Sequence, residues 1–221
     1  EGKGGVGFRW CCGRPECPDH QRLFPPGPTS RPIAPRGPGE PPMAPLLIVD
    51  SIQSDIHALK TEAGKKYPKV REASERADRH LRDVADGVEN ATDALIAAAL
   101  RRSEEMLAPG LAALETKQSR LVQLGAAYIS RLASHDAVRP ASFPAAGRAL
   151  RQGAEGGDEQ VQLRMLQAIM SVMQATSLVS DSDTVMLMLE SLLVLYVSKN
   201  QVIANTAAAS LRQCVGFLFD S

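Results

Sequence analysis

The chain has 221 residues, 25 of them basic and 25 acidic, with 44% apolar and 4% aromatic residues. The apolar share is ample for the core of one large domain or two small ones. Balanced charge and scarce aromatics exclude a nucleic-acid partner held by bulk electrostatics or base stacking.

The first 42 residues stand apart. They hold ten of the 15 prolines, eight of the 17 glycines, three of the four cysteines and the single tryptophan, and the first methionine is Met43. Such a composition cannot bury enough apolar surface to offset its ordering entropy. Residues 1–42 therefore read as a disordered extension, or as translated sequence upstream of a start at Met43. Lys3-Gly4-Gly5-Val6-Gly7 resembles a phosphate-binding loop, but Phe8 and Arg9 follow where that loop needs Lys and then Ser or Thr. Cys11, Cys12, Cys17 and His20 are zinc-ligand types without a repeated ligand pair, and read as incidental groups in a proline-rich tail. The N-terminus lacks the continuous apolar segment of a secretory signal. Residues 43–221 carry 19 basic and 21 acidic residues and one cysteine, Cys214, which favours a reducing, cytosolic setting.

Helical periodicity begins near Met43. Leu46 to Lys66 reads as a helix with Ile48, Ile52, Ile56 and Leu59 on one face, and Pro68 marks its break. A more polar helix follows from about Lys69 to Val84. Asn90 or Thr92 caps the next, which runs to about Arg102. Pro109–Gly110 reads as a kink or turn. Lys117 to Ser134 is strongly periodic through Leu121, Leu124, Tyr128 and Leu132. Pro140 and Pro144 bracket the start of a short helix to about Gln152, and Gly153, Gly156 and Gly157 form a connection. Three helices follow, at about Asp158 to Thr176, Asp183 to Val197, and Gln201 to Phe219. The run Val185 to Val197, VMLMLESLLVLYV, is too short to span a bilayer and reads as a buried helix. In the last helix Ile203, Leu211, Val215 and Leu218 share one face, and Ala207 to Ala209 allow a neighbour to come close. No run alternates as a strand does.

A weak repeat is present. Shifting Arg120–Val138 by 41 residues lays it over Val161–Val179, and shifting by 82 lays Ala126, Ala127 and Ile129 on Ala208, Ala209 and Leu211. A period near 40 belongs to HEAT or armadillo solenoids, so the expected fold is an all-α helical solenoid over residues 43–221 rather than a closed bundle.

Chemistry-bearing groups are sparse. His57, His80 and His135 fall on separate helices, outside any metal-binding or nucleophile–base pattern, and Cys214 lies close to an apolar face. No serine sits in a nucleophile elbow. No catalytic, cofactor or metal site is expected. Lys60 to Arg82, with eight basic and four acidic residues, reads as a solvated helix face, the alternative being a face that meets anionic lipid or an acidic partner. Asn205 and Arg212 are seven residues apart and share a face, fitted either to bonding within the helix stack or to partner contact.

Lys199–Gln213, KNQVIANTAAASLRQ, resembles the N-terminal region of the large Golgi trafficking proteins of the Mon-two, Sec-seven and BIG family. Ser51–Tyr67, SIQSDIHALKTEAGKKY, followed by Pro68–Ala73, PKVREA, is similar to the opening of the Mon-two branch, and Ser119–His135 to its next helical unit. The resemblance covers about Leu46 to Phe219. It implies a dimerisation and cyclophilin-binding domain, an armadillo-like unit of a much larger protein. It further implies a scaffold, peripheral on Golgi, trans-Golgi and endosome membranes, that associates with itself, with an Arf-like small GTPase or with the large Dop-one protein. Lys199, Asn200, Asn205 and Arg212, which lie in the resembling segment, are the candidate partner-binding residues. The alternative within the family is the regulatory domain of a BIG-type Arf exchange factor, whose catalytic domain nothing in this chain resembles.

Overall fold

Prolines open helices in this chain. Pro68 is the first residue of a helix, and Pro109 and Pro144 each lie in a first turn, where the missing N–H would have no intrahelical acceptor. The computed structural model describes residues 46–87, 92–156, 158–175 and 181–220. Among the described residues there are nine α-helices, one 3-10 turn at Pro140–Ser142, and no strand. In chain order they are α1 (Leu46–Ala63), α2 (Pro68–Gly87), α3 (Asp93–Leu100), α4 (Ala108–Leu114), α5 (Ser119–Ser134), α6 (Phe143–Ala154), α7 (Glu159–Gln174), α8 (Ser182–Tyr196) and α9 (Gln201–Asp220). The expected extension, residues 1–42, lies outside the described residues, as do Asn90 and Gly157.

Three expectations need correcting. Pro109 and Gly110 form no turn: both are buried inside α4, a helix short enough to give no periodic signal of its own. Gly110 is there for proximity, since a Cβ on it would lie 2.7 Å from Ile129 Cγ1. Gly153 is not connecting chain but lies within α6, where a Cβ would meet Met165 Sδ at 2.9 Å. In α9 the buried face is Ile203, Ala207, Ser210 and Cys214, while Val215 is 47% exposed. Small residues win that face because α9 sits close against its neighbours.

The helices form two rows. One row runs α2, α4, α6, α8 and the other α1, α5, α7, α9, each helix packing on the next in its row. Across the rows α1 packs on α2, α4 on α5, α6 on α7, and α8 on α9. This is a two-layered solenoid of helical pairs, with α3 a short addition beside α2. The core lies between the rows, where Ile52, Leu81, Tyr128, Phe143 and Met165 are fully buried. Arg101, which follows α3, donates from Nε and Nη2 to the carbonyl of Asp136 at 2.8 and 2.6 Å, tying down a turn whose φ is +54°.

The repeat is real but uneven. Leu121, Tyr128 and Leu132 of α5 are buried, and so are Val161, Ala168 and Val172, each 40 positions later in α7. Ile203, Ser210 and Cys214 in α9 are buried a further 42 positions on. The 82-residue offset therefore holds from α5 to α9, and the uniform shift of 41 is the mean of two unequal steps.

Candidate partner-docking surface

The row of α5, α7 and α9 is aligned by its N-caps. Gln118 Oε1 accepts from Leu121 N at 3.0 Å, and its Nε2 donates to Glu62 Oε1 of α1 at 3.1 Å. Asp158 Oδ1 accepts from Val161 N at 2.9 Å, and its Oδ2 accepts from Ser119 Oγ of α5 at 2.6 Å. Asn200 Oδ1 accepts from Val202 N at 2.9 Å, and its Nδ2 donates to Glu159 Oε2 of α7 at 2.9 Å. Each cap closes its own helix and also reaches the preceding helix of the row, so the starts of α5, α7 and α9 are held level with one another and with the end of α1. The Ser119 hydroxyl, and then the Val161 N–H, hold the Asp158 carboxyl below the usual carboxylate range.

That arrangement gives the four candidate residues different places. Asn200 is the cap of α9 and is half-buried. Lys199 is exposed in the turn before it. Asn205 is exposed on α9, its Oδ1 accepting from Gln201 Nε2 at 2.8 Å within the same helix. Arg212 is exposed two turns further along the same side. By the offsets of 42 and 82 residues, Arg212 occupies the position of Met170 in α7 and Ser130 in α5. Both of those reach the next helix of the row: Ser130 Oγ is 2.7 Å from Ser171 Oγ, and Met170 Sδ is 3.6 Å from Cys214 Sγ. Arg212 thus sits where its counterparts meet a neighbour.

The apolar stretch in α8 is only half buried. Its Thr184, Leu187 and Met188 pack against Gly147 of α6, which has no side chain to hold them off. Met186, Leu193, Tyr196 and Val197 are 56%, 52%, 50% and 76% exposed, and Val202 at the start of α9 is 55% exposed. The sequence points to the exposed faces of the last two helices as the docking surface, but a helix apolar on every side gives no periodic signal of which side is covered, so reading Val185 to Val197 as buried did not single out these residues.

No group of three or more His, Cys, Asp or Glu side chains able to hold a metal occurs among the described residues. His57 is in α1, His80 in α2, and His135 ends α5. The glycine loop at Lys3–Gly7 and the group Cys11, Cys12, Cys17 and His20 lie outside the described residues. Cys214 is fully buried, and burial pushes its thiol up to about 11. In the charged run from Lys60 to Arg82, Lys60 pairs with Glu75 at 3.3 Å and Arg82 with Asp78 at 2.5 Å. No described helix is long and apolar enough to cross a membrane.

A family model described as the Mon2/Sec7/BIG1-like dimerisation and cyclophilin-binding domain matches residues 46–221. Among curated proteins, the chain is 33% identical over 186 residues to the human protein MON2 homolog, covering 81% of this chain and 10% of that protein. It is 31% identical over 182 residues to the MON2 homolog of Xenopus laevis, again covering 81% of this chain and 10% of the relative. To the Drosophila melanogaster MON2 homolog it is 27% identical over 172 residues, covering 78% and 10%. The chain spans about a tenth of the length of these relatives.

Proposed function

This chain belongs to the Mon2/Sec7/BIG1-like family of dimerisation and cyclophilin-binding domains, and on that footing we propose that residues 43–221 are a non-catalytic interaction module of a trafficking scaffold. The module serves transport between the Golgi, trans-Golgi network and endosomes, peripheral on their membranes. It works by associating with itself and by docking an Arf-like small GTPase or a Dop-one-type protein. The MON2 names of its curated relatives favour this branch over the regulatory domain of a BIG-type exchange factor.

The observation that carries the reading is the uncovered side of the last helical pair. Met186 and Leu193 of α8 and Val197 just past its end stand exposed, as does Val202 of α9, with Asn205 and Arg212 further along α9. Covering a single Leu or Met side chain contributes about 1.5–3 kcal/mol, so a partner seated here gains from several at once. Asn205 and Arg212 then supply the polar contacts that fix its orientation.

The test has two arms. Sedimentation equilibrium on the purified chain measures self-association, and co-purification tests a GTP-loaded Arf-like GTPase and a Dop-one-type protein. Association in either arm at about ten to a hundred micromolar supports the reading, and its absence in both removes it. Leu193→Asp together with Val197→Asp should weaken whichever association is found.

A further inference from the structure

Counted from their N-caps, Gln118, Asp158 and Asn200, the helices α5, α7 and α9 repeat one pattern of burial. The positions three, seven, ten and fourteen places after the cap are buried in all three helices; in α9 they are Ile203, Ala207, Ser210 and Cys214. In α5 and α7 the positions eight, eleven and fifteen places after the cap are buried as well. They hold Ala126, Ile129 and Ala133 in α5, and Leu166, Ile169 and Met173 in α7. In α9 the same three positions hold Ala208, Leu211 and Val215, again all apolar. There, however, Ala208 and Leu211 are only half-buried and Val215 is 47% exposed. At 3.6 residues per turn the three positions fall within about 60° of one another, so they form one stripe along the helix.

The polar edge of that stripe repeats too. The residue just after the cap bonds the cap of the next helix in the row. Ser119 Oγ donates to Asp158 Oδ2 at 2.6 Å, and Glu159 Oε2 accepts from Asn200 Nδ2 at 2.9 Å. Twelve places after the cap, Ser130 Oγ lies 2.7 Å from Ser171 Oγ, and Met170 Sδ lies 3.6 Å from Cys214 Sγ. In α9 these two positions are Gln201 and Arg212, and both are exposed. Among the described residues Gln201 bonds only Asn205 of its own helix, and Arg212 has no hydrogen bond or ion pair. Among those residues, too, α9 packs on α7 and α8 alone. The side that α5 and α7 use to hold the next helix is thus complete on α9 and carries none.

We propose that a helix of a partner protein seats on Ala208, Leu211 and Val215, parallel to α9 and level with it, as α9 itself seats on α7. Its N-cap side chain bonds Gln201, and an acidic residue thirteen places after that cap pairs with Arg212. The parallel sense follows from the level caps of α5, α7 and α9. The acid's place follows from Ser171, which stands thirteen places after its own cap and meets Ser130. The acid itself follows from Arg212, a cation that a seated helix takes out of water and must therefore pair. A second copy does not supply these groups. A parallel twofold pairing sets Arg212 against Arg212, and an antiparallel one carries the Asn200 cap away from Gln201. The proposal rests on the reading of the last helical pair as a docking surface, and it names the partner for that surface.

The test uses the whole chain and a fluorescein-labelled peptide of about 18 residues, held helical by lactam bridges on its outer side. The peptide has Asp as its N-cap, Ile and then three Ala at the four positions that α9 buries, and Glu thirteen places after the cap. Fluorescence anisotropy should show binding to the unmodified chain with a Kd of about 100 micromolar or tighter. Ala208→Glu and Arg212→Glu should each weaken it about tenfold or more. Thr206→Glu, the same change in charge as Ala208→Glu at an exposed position on the other side of α9, should weaken it less than about twofold. A peptide with Lys in place of that Glu should reverse the order and bind the Arg212→Glu variant about fivefold better than the unmodified chain. No binding to the unmodified chain, equal losses in all three variants, or no reversal with the Lys peptide overturns the proposal. Circular dichroism confirms that each variant folds. Sedimentation equilibrium separates the proposal from the wider reading. If the chain ignores the peptide but self-associates, and Ala208→Glu abolishes that self-association, the stripe belongs to a second copy; the proposal then fails while the docking surface stands.

Discussion

Ser119 and Asp158 join two helices of one row through a single hydrogen bond: the Ser119 hydroxyl at the start of α5 donates to the Asp158 carboxylate that caps α7, at 2.6 Å. The bond is stronger to the ionised carboxylate than to the protonated acid, and it is the largest cause holding that carboxyl below its ordinary range. A carboxyl depressed in the folded state stabilises the fold fully above its unfolded pKa of about 3.9 and loses that contribution as pH falls through the folded value. Asp158→Ala should therefore lower the urea midpoint at pH 7, and the gap to the unmodified chain should close as pH falls below about 4. Urea titrations across pH 2.5 to 7 check this, and a gap that persists at the acid end would count against the assignment.

Glycine substitutions should separate close packing from helix propensity. A Cβ on Gly125 would lie 2.8 Å from Ala113 Cβ and 3.0 Å from the carbonyl oxygen of Gly110, so α5 and α4 meet there almost backbone to backbone. Gly125→Ala must push the two helices apart and should cost about 1–3 kcal/mol. Gly216, in α9, has nothing within 4 Å of a built Cβ. Gly216→Ala should instead stabilise, by about 0.5–1 kcal/mol, through helix propensity. Thermal melts of the two variants should move in opposite directions.

What the sequence disclosed about the fold follows from how strong each periodic signal is. The apolar stripe Leu121, Tyr128, Leu132 belongs to a helix of 16 residues and was readable; α4, at seven residues and opening with Ala-Pro-Gly, was not. In α9 the bulky residues point to a face rotated from the buried one, because the separation of neighbouring helices decides whether Leu211 or Ala207 fits. Such a separation depends on residues far away in the chain. The seven-residue spacing of Asn205 and Arg212 did place them on one exposed side, since helical period alone fixes that. The cap role of Asn200 depends instead on which helices become neighbours. Glu159 and Asn200 are 41 positions apart, and nothing local announces their contact.

Tyr128 carries a polar group into the core and uses it once. Its ring is fully buried between the rows, and its hydroxyl donates to the Met106 carbonyl at 2.6 Å. Tyr128→Phe keeps the shape but leaves that carbonyl unpaired, at a cost of about 1–2 kcal/mol. Burial, and then the negative charge of Asp55, raise the hydroxyl's pKa well above the ordinary value. A group whose folded pKa is raised contributes stability below its unfolded pKa and loses it as pH rises beyond that, here above about 10. The difference in urea midpoint between the unmodified chain and the Tyr128→Phe variant should thus shrink at alkaline pH, and denaturation at pH 7, 9 and 11 measures it.

Cys214 should report on the opening of the last helical pair. Its thiol is fully buried in α9 beside Met170 of α7, and burial pushes its pKa up to about 11. Only the thiolate is a competent nucleophile, so at pH 8 a thiol of that pKa is ionised at roughly one part in a thousand, against about one in four for a free cysteine. Alkylation of Cys214 by iodoacetamide, followed peptide by peptide by mass spectrometry, should run at least about a hundredfold slower in the folded chain than in urea. If a docked partner covers α8 and α9, its addition should slow the reaction further by suppressing local opening of that pair. An equal rate in the folded and unfolded chains would mean that α9 does not hold its place against α7.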